Sequence, residues 1–330
     1  MQVCALSETL LENATITQLD LSYNFIDDSG MRSIVHLLKI NRNLKSLQLE
    51  GNCITSAGAA SLAAVLSHSS NTGPALHRLS LRGNPLGDEG VAAIAEALRT
   101  NVNIRHLDLG RTDMGEKGIV ALCAALTDRN FLEILGLEKP LVQGPKDNLM
   151  CHMALMIARA HHLSTLGLGK HSLTDSEFET LLAYGLTKNR SITSLDLRAN
   201  KLSGMSGPAL VRLLKECPAL RDLNLSHNDL GDSGALAVAQ CLPYAHQLRH
   251  LDLRGNSIRE AGLASLAESL RPSAALESLL LWGNGFGPMS SQAFGDVLEA
   301  LAAESRKPVM DIAPYEVDGQ PGVAAVDVAS

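Results

Sequence analysis

Three groups of residues have side chains able to act as nucleophiles, bases or metal ligands. Cys151, His152, His161 and His162 fall within one short stretch, and thiolate and imidazole are ligands that zinc prefers. Cys151 and His152 are adjacent, however, so on a helix they point in different directions, and nothing nearby completes a tetrahedral set. These histidines read as isolated surface residues. Gly167-Leu-Gly169-Lys170-His-Ser172 has the glycines and lysine of a phosphate loop without its spacing, and it falls on an extended segment. His106 and Asp108 stand two apart on one face of another such segment, close enough to interact, yet no serine or cysteine nucleophile accompanies them. The sequence therefore predicts no catalytic residue, no metal site, no cofactor and no small-molecule substrate.

Charge and cysteine usage narrow the remaining classes. The 330-residue chain has a formal net charge of −7, and no Lys/Arg cluster forms a phosphate-neutralising stripe, which argues against nucleic acid as a partner. Cys4, Cys53, Cys123, Cys151, Cys217 and Cys241 share no spacing of a disulfide framework or zinc site. The opening Met-Gln-Val-Cys-Ala-Leu lacks a basic region and a long apolar stretch, and no segment is long enough to insert in a membrane. The expectation is an intracellular, reduced protein whose partners are other proteins.

The elements that carry these residues repeat about every 28 residues. Leu195-Asp-Leu197-Arg-Ala-Asn200 recurs as Leu223-Asn-Leu225-Ser-His-Asn228 and as Leu251-Asp-Leu253-Arg-Gly-Asn256, and again up to Asn284. Leucines two apart are strand periodicity. Gly30, Ile34 and Leu38, copied by Gly58, Leu62 and Leu66 and by Gly262, Leu266 and Leu270, are spaced for one helical face. Asp28, Ser56, Asp88, Asp175 and Asp232 stand where the helix begins and are expected to accept bonds from the unpaired amides of its first turn. No such unit buries its apolar face alone, so neighbours must stack. Strands lie closer together than helices, which bends the stack into a horseshoe with the strands inside.

This pattern resembles the ribonuclease-inhibitor type of leucine-rich repeat, a type that serves inhibitors, GTPase activators, innate immune sensors and ciliary proteins alike. The resemblance implies an α/β solenoid with a curved parallel sheet on the concave face and helices on the convex face. Residues 1–15 read as a partial repeat and 16–306 as an array of about ten repeats, irregular at 132–191, with 307–330 a C-terminal cap and tail. Leu6, Leu10 and Leu11 look like the end of a repeat's helix, so either a partner covers this end or the sequence is a truncated form. Leu281-Trp282-Gly283-Asn284-Gly-Phe286, with Asp311 to Gly319, resembles the tail of one member of the type. That likeness implies a ciliary or axonemal assembly component, or a nuclear or nucleolar factor.

Asparagine follows the strand at Asn24, Asn52, Asn84, Asn200, Asn228, Asn256 and Asn284, where a buried carboxamide can satisfy the backbone of adjacent loops. Thr112, Pro140 and His171 interrupt this ladder. Near them, the turn Lys139 to Asp147 is irregular, and Gly185 stands where the helix should offer a leucine. An insertion at 68–75 reads as a longer loop. In the tail, Val309 to Ile312 is expected to add a last short strand, bounded by Pro308 and Pro314, with the remainder extended or disordered.

Strand alternation lists the residues that face away from the core. They are small and nearly uncharged in the middle of the array and carry mixed charge on its flanks. Trp282 is the sole tryptophan; beside Leu280 and near Arg254, Asp252 and Arg198, it has the composition of an interface anchor. These five are the expected partner-binding residues of a non-catalytic scaffold. Packing of Trp282 beneath the tail near Tyr315 is the competing arrangement. A GTPase activator or enzyme inhibitor, with Arg111 or Lys170 acting from the rim, is the alternative function.

Overall fold

A leucine at the centre of a three-residue strand is the kernel that each repeat contributes. A computed structural model describes residues 2–67, 74–127, 131–317 and 319–328; residues 68–73, most of the expected long loop, lie outside them. Two compact units divide the chain, Met1–Gly167 and Leu168–Ser330.

In the first unit, β1 (Gln18–Asp20), β2 (Ser46–Gln48), β3 (Arg78–Ser80), β4 (His106–Asp108), β5 (Ile134–Gly136) and β6 (Thr165–Gly167) pair in parallel and in chain order. Their leucines Leu19, Leu47, Leu79, Leu107, Leu135 and Leu166 stand in register. Helix α1 (Gln2–Leu10) precedes β1, and between the strands run α2 (Asp28–Ile40), α3 (Ser56–Leu66), α4 (Gly87–Leu98), α5 (Glu116–Leu126) and α6 (Asp147–Arg159). The second unit repeats the plan. Strands β7 (Ser194–Asp196), β8 (Asp222–Asn224), β9 (His250–Asp252), β10 (Ser278–Leu280) and β11 (Val309–Met310) are parallel neighbours. They alternate with α7 (Asp175–Tyr184), α8 (Gly207–Glu216), α9 (Gly231–Cys241), α10 (Glu260–Leu270) and α11 (Pro288–Ala303). The helix residues spaced by four, among them Ile34, Leu38, Leu62, Leu66, Ile94, Leu98, Leu266 and Leu270, are buried with the strand leucines. The alternation of strand and helix around a parallel sheet is the α/β solenoid that the repeat pattern implied. Gly185 ends α7, and Leu186, one residue on, takes the buried place.

The asparagines form the ladder expected of them. Asn52 accepts from the amides of Asn24 and Ile26 at 3.0 and 2.9 Å and donates to the carbonyls of Leu21 and Leu49 at 2.9 Å each. Asn228 does the same for Asn200, Leu202, Leu197 and Leu225. The residue before each rung is left-handed: Tyr23, Gly51, Gly83, Arg111 and Lys139 in the first unit, and Lys170, Ala199, His227, Gly255 and Gly283 in the second. Glycine adopts this conformation without cost, whereas another residue there costs about 1–2 kcal/mol.

The acidic residues at the helix starts cap a different helix from the one expected. Asp28 accepts from Thr55 and Gly58 at 2.9 and 3.0 Å, and Asp88 from Gly115 and Gly118 at 2.7 and 2.8 Å. Asp232 accepts from Arg259 and Gly262 at 2.7 and 3.1 Å. Asp175 takes the amide and hydroxyl of Ser203 and the hydroxyl of Ser206. Each carboxylate thus satisfies the orphan amides at the start of the next repeat, because stacking brings the following helix N-terminus onto it. For α2 the local cap is Asp27, one residue earlier, which accepts from Gly30 at 2.9 Å.

The tail departs from expectation past Met310. Val309 and Met310 add the last parallel strand, but Pro314 does not bound it. It lies within β12 (Ile312–Val317), which pairs antiparallel with β13 (Gln320–Ala325). The stretch read as extended or disordered is therefore a hairpin. It reverses at Gly319, whose φ of 76° is open to glycine. Pro314 stands opposite Val323, in a two-stranded ribbon where a missing donor is tolerated.

Candidate protein-binding surface

In the second unit, strand register brings the expected residues together. Ser194, Asp222, His250 and Ser278 are in-register partners through successive pairs, so counting on by four residues aligns Arg198, Ser226, Arg254 and Trp282 in one row across β7 to β10. Asp196, Asn224, Asp252 and Leu280 form the row beside it. Trp282 is 46% exposed, so about half of the residue stays open beside the tail. The tail holds its backbone: Asp311 accepts from the amides of Leu281 and Trp282 at 2.7 and 3.1 Å. In the preceding repeat the amide equivalent to that of Leu281, on Leu253, donates to the Leu280 carbonyl of β10 at 2.9 Å, whereas the one equivalent to that of Trp282, on Arg254, donates to the Asp252 carboxylate at 3.0 Å. The Asp311 carboxylate thus supplies Leu281 with the acceptor that a strand carbonyl gives Leu253, and Trp282 with the one that Asp252 gives Arg254.

Arg254 grips the carboxylate of Asp252 through Nε at 3.0 and 3.1 Å and through a terminal nitrogen at 2.6 Å. Asp252 also accepts from the Arg254 amide at 3.0 Å, and its side chain is 11% exposed against 45% for Arg254. The hydrogen bond that Arg254 donates to Asp252 raises its guanidinium above its ordinary value, against the opposing pull of burial. Asp252 is therefore a support that fixes the direction of Arg254 and leaves a half-exposed cation beside a half-exposed indole. Arg198 is oriented in the same way by Asp196 at 3.3 Å, and it lies over Gly169, where a methyl group would come within 3.1 Å of it.

The first unit holds an arrangement that the sequence reading missed. Glu50, Arg82, Gly110 and Glu138 occupy the same position on successive repeats, as the strand registers dictate. Arg82 meets Glu50 at 3.3 Å and Asp108 at 3.6 Å, and it reaches across Gly110 to bond Glu138. A side chain at Gly110 would come within 2.6 Å of the guanidinium, and one at Gly136 within 2.8 Å of Asp108. Burial holds the Asp108 carboxyl above the usual carboxylate range, with the Gly110 amide and Arg82 acting in the opposite sense. Tyr23 extends the network by donating to Glu50 at 2.9 Å. The small residues in the middle are thus the bed of an ion-pair network, and Glu138 among them is buried. Reading one position across repeats, instead of each strand by itself, would have found it.

The groups first considered for chemistry stay apart. His106 faces Glu133 at 3.7 Å, while Asp108 turns to Arg82 and to the Gly110 amide, so the two do not pair. His162 stacks on Phe131 at 5.5 Å, and Cys151 is exposed on α6. Among the described residues no group of three or more His, Cys, Asp or Glu is placed to hold a metal, and no helix is long and apolar enough to cross a membrane.

A leucine-rich repeat family model matches residues 12–35, 41–63, 74–95, 100–123, 216–239 and 245–267, on both sides of the irregular stretch. The chain is 32% identical to NACHT, LRR and PYD domains-containing protein 3 of Bos taurus over 216 residues, covering 64% of this chain and 20% of that protein. Against the Homo sapiens protein of the same name it is 32% identical over 205 residues, covering 52% and 19%. With NACHT, LRR and PYD domains-containing protein 5 of Bos taurus the figures are 30% over 223 residues, 65% and 19%. The chain spans about a fifth of the length of these relatives. A solved structure, the mouse RP105/MD-1 complex, matches with 17% identity and a TM-score of 0.45 over 91% of this chain and 51% of that one; at that distance the match carries no argument.

Proposed function

From the premise that this chain is a leucine-rich repeat protein, we propose that it is a non-catalytic scaffold that captures other proteins on the outward strand face of its second unit. The observation that supports this reading is the row Arg198, Ser226, Arg254 and Trp282. It sets a half-exposed indole beside a guanidinium whose direction is fixed by a nearly buried carboxylate. An aromatic anchor with a pre-oriented arginine loses little side-chain freedom on binding, which is how a small number of residues comes to dominate an interface. Leu280 supplies apolar contact next to the indole, and Asp252 acts through Arg254.

The finer reading rests on resemblance. Leu281 to Phe286 with Asp311 to Gly319 is similar to the tail of leucine-rich repeat-containing protein 34. This supports a place in a ciliary or axonemal assembly, and a nuclear or nucleolar factor is the other compartment that the likeness admits. Affinity purification with quantitative mass spectrometry from native cells, comparing wild type with Trp282→Ala/Arg254→Ala, tests both parts. Axonemal proteins lost in the variant support surface and compartment together. A nucleolar set would move the compartment, and full retention of partners by a folded variant would sink the surface.

A further inference from the structure

Two exposed cations stand side by side on the turn side of the first unit. Because β4 and β5 pair with His106 opposite Ile134, Arg111 and Lys139 occupy equivalent places in adjacent repeats, and the Arg111 amide donates to the carbonyl of Glu138 at 2.7 Å. Neighbouring strands lie about 5 Å apart, so two like charges leave the backbone side by side. Both side chains are exposed, and neither makes a hydrogen bond or ion pair among the described residues. The adjacent carboxylate, Glu138, is turned away onto Arg82. Asp113, two residues beyond Arg111, pairs with neither cation. Both residues are left-handed, with φ of 55° and 53°, in the column where the two preceding repeats carry Gly51 and Gly83.

Adjacent like charges repel, and a left-handed backbone disfavours long side chains. The backbone cost is shared by Tyr23, Lys170, Ala199 and His227 in the same column, but the repulsion is particular to this pair, and an anion bound between the two cations offsets it. We propose that Arg111 and Lys139 form a docking site for an extended, acidic segment of a partner protein. Carboxylates two apart on an extended strand are about 7 Å from one another, a spacing that the long arms of arginine and lysine accommodate. A protein segment is favoured over a nucleic acid because the chain carries a net charge of −7 and Glu50 and Asp108 stay partly exposed on the face beside this turn. A long polyanion would be repelled there, whereas a short acidic segment stays on the turn.

The test measures fluorescence anisotropy of a labelled peptide of alternating glutamate and serine, against wild type, Arg111→Gly/Lys139→Gly, and Arg32→Gln/Lys39→Gln. The glycine variant keeps the left-handed backbone without its steric cost, so it should fold. The glutamine variant removes the same charge from exposed positions on α2. The expected result is binding by wild type, about tenfold weaker in the glycine variant and unchanged in the glutamine variant. Three results would overturn the site: no binding by wild type, an equal loss in both variants, or tighter binding of an oligo-uridylate that is lost in the same glycine variant. Neither variant touches Trp282 or Arg254, so the outcome is independent of the surface proposed for the second unit.

Discussion

Thr112 and Asn256 explain each other at the scale of single residues. Asn256 donates to the carbonyls of Leu225 and Leu253 at 2.9 and 3.0 Å, yet its buried Oδ1 has no partner. The loop that would use this oxygen ends at Gly231, whose amide donates to the Asn256 backbone carbonyl at 3.0 Å. One other loop does the same, with Gly87 donating to the carbonyl of Thr112 at 2.9 Å. Where the preceding loop turns through a left-handed glycine, the rung has no call for a side-chain acceptor. A threonine then suffices, and Thr112 repeats one of the two donated bonds, the one within its own repeat, by donating to Leu109 at 2.7 Å. Chemical denaturation should therefore show Asn228→Thr costing about 2–4 kcal/mol, because it strands two buried amides, and Asn256→Thr costing less than half as much. Equal costs would refute the account. The break at Thr112 was legible in the sequence, but its cause was not, since it depends on where the amide of a different repeat points.

Helix capping across repeats is the device that belongs to the scale of elements. Asp232 caps α10 from α9, and Gly262 leaves room for it: a methyl group there would meet the Asp232 carboxylate at 2.7 Å, Ile258 at 2.8 Å and Ala235 at 3.0 Å. Gly262→Ala is predicted to cost about 2–4 kcal/mol. In a double-mutant cycle Asp232→Ala should return part of that loss, because one of the three clashes disappears; strict additivity would show that the carboxylate is not the obstacle. Asp175 gives a pH signature. Burial raises its carboxyl, but the bonds from Ser203 and Ser206 together outweigh that and hold it below the ordinary 3.8. A carboxyl depressed by folding contributes stability that is present above its unfolded value and lost as pH falls through the folded one. Asp175→Asn should therefore lower Tm at neutral pH, with the difference from wild type closing below about pH 4. A difference that persists undiminished in acid would assign the effect to shape instead of charge.

For the molecule as a whole, stability in a repeat array is the sum of each repeat and its contacts with the next. End effects should then stay local. Asp311 closes the last parallel edge of the second unit by satisfying Leu281 and Trp282. Removing it with Asp311→Ala leaves two amides without acceptors. Hydrogen exchange read by mass spectrometry should show faster exchange in β10 and β11, while β1 to β3 keep wild-type protection. Acceleration that spreads equally to β1 would contradict nearest-neighbour behaviour. Because Asp311 also fixes the backbone under Trp282, the same variant is expected to weaken partner capture without altering the indole itself.

The sequence by itself determined the repeat, the period of its strands and helices, the buried leucines, the asparagine ladder and the row containing Arg198, Arg254 and Trp282. All of these follow from side-chain periodicity along the chain, which is local. Tertiary structure alone decided which helix each aspartate caps, why Gly110 and Gly136 are bare, where Glu138 finds its cation and how the tail folds back as a hairpin. In each of these a group on one repeat is completed by a group on another, and residues about 28 or 56 positions apart become neighbours only when the repeats stack.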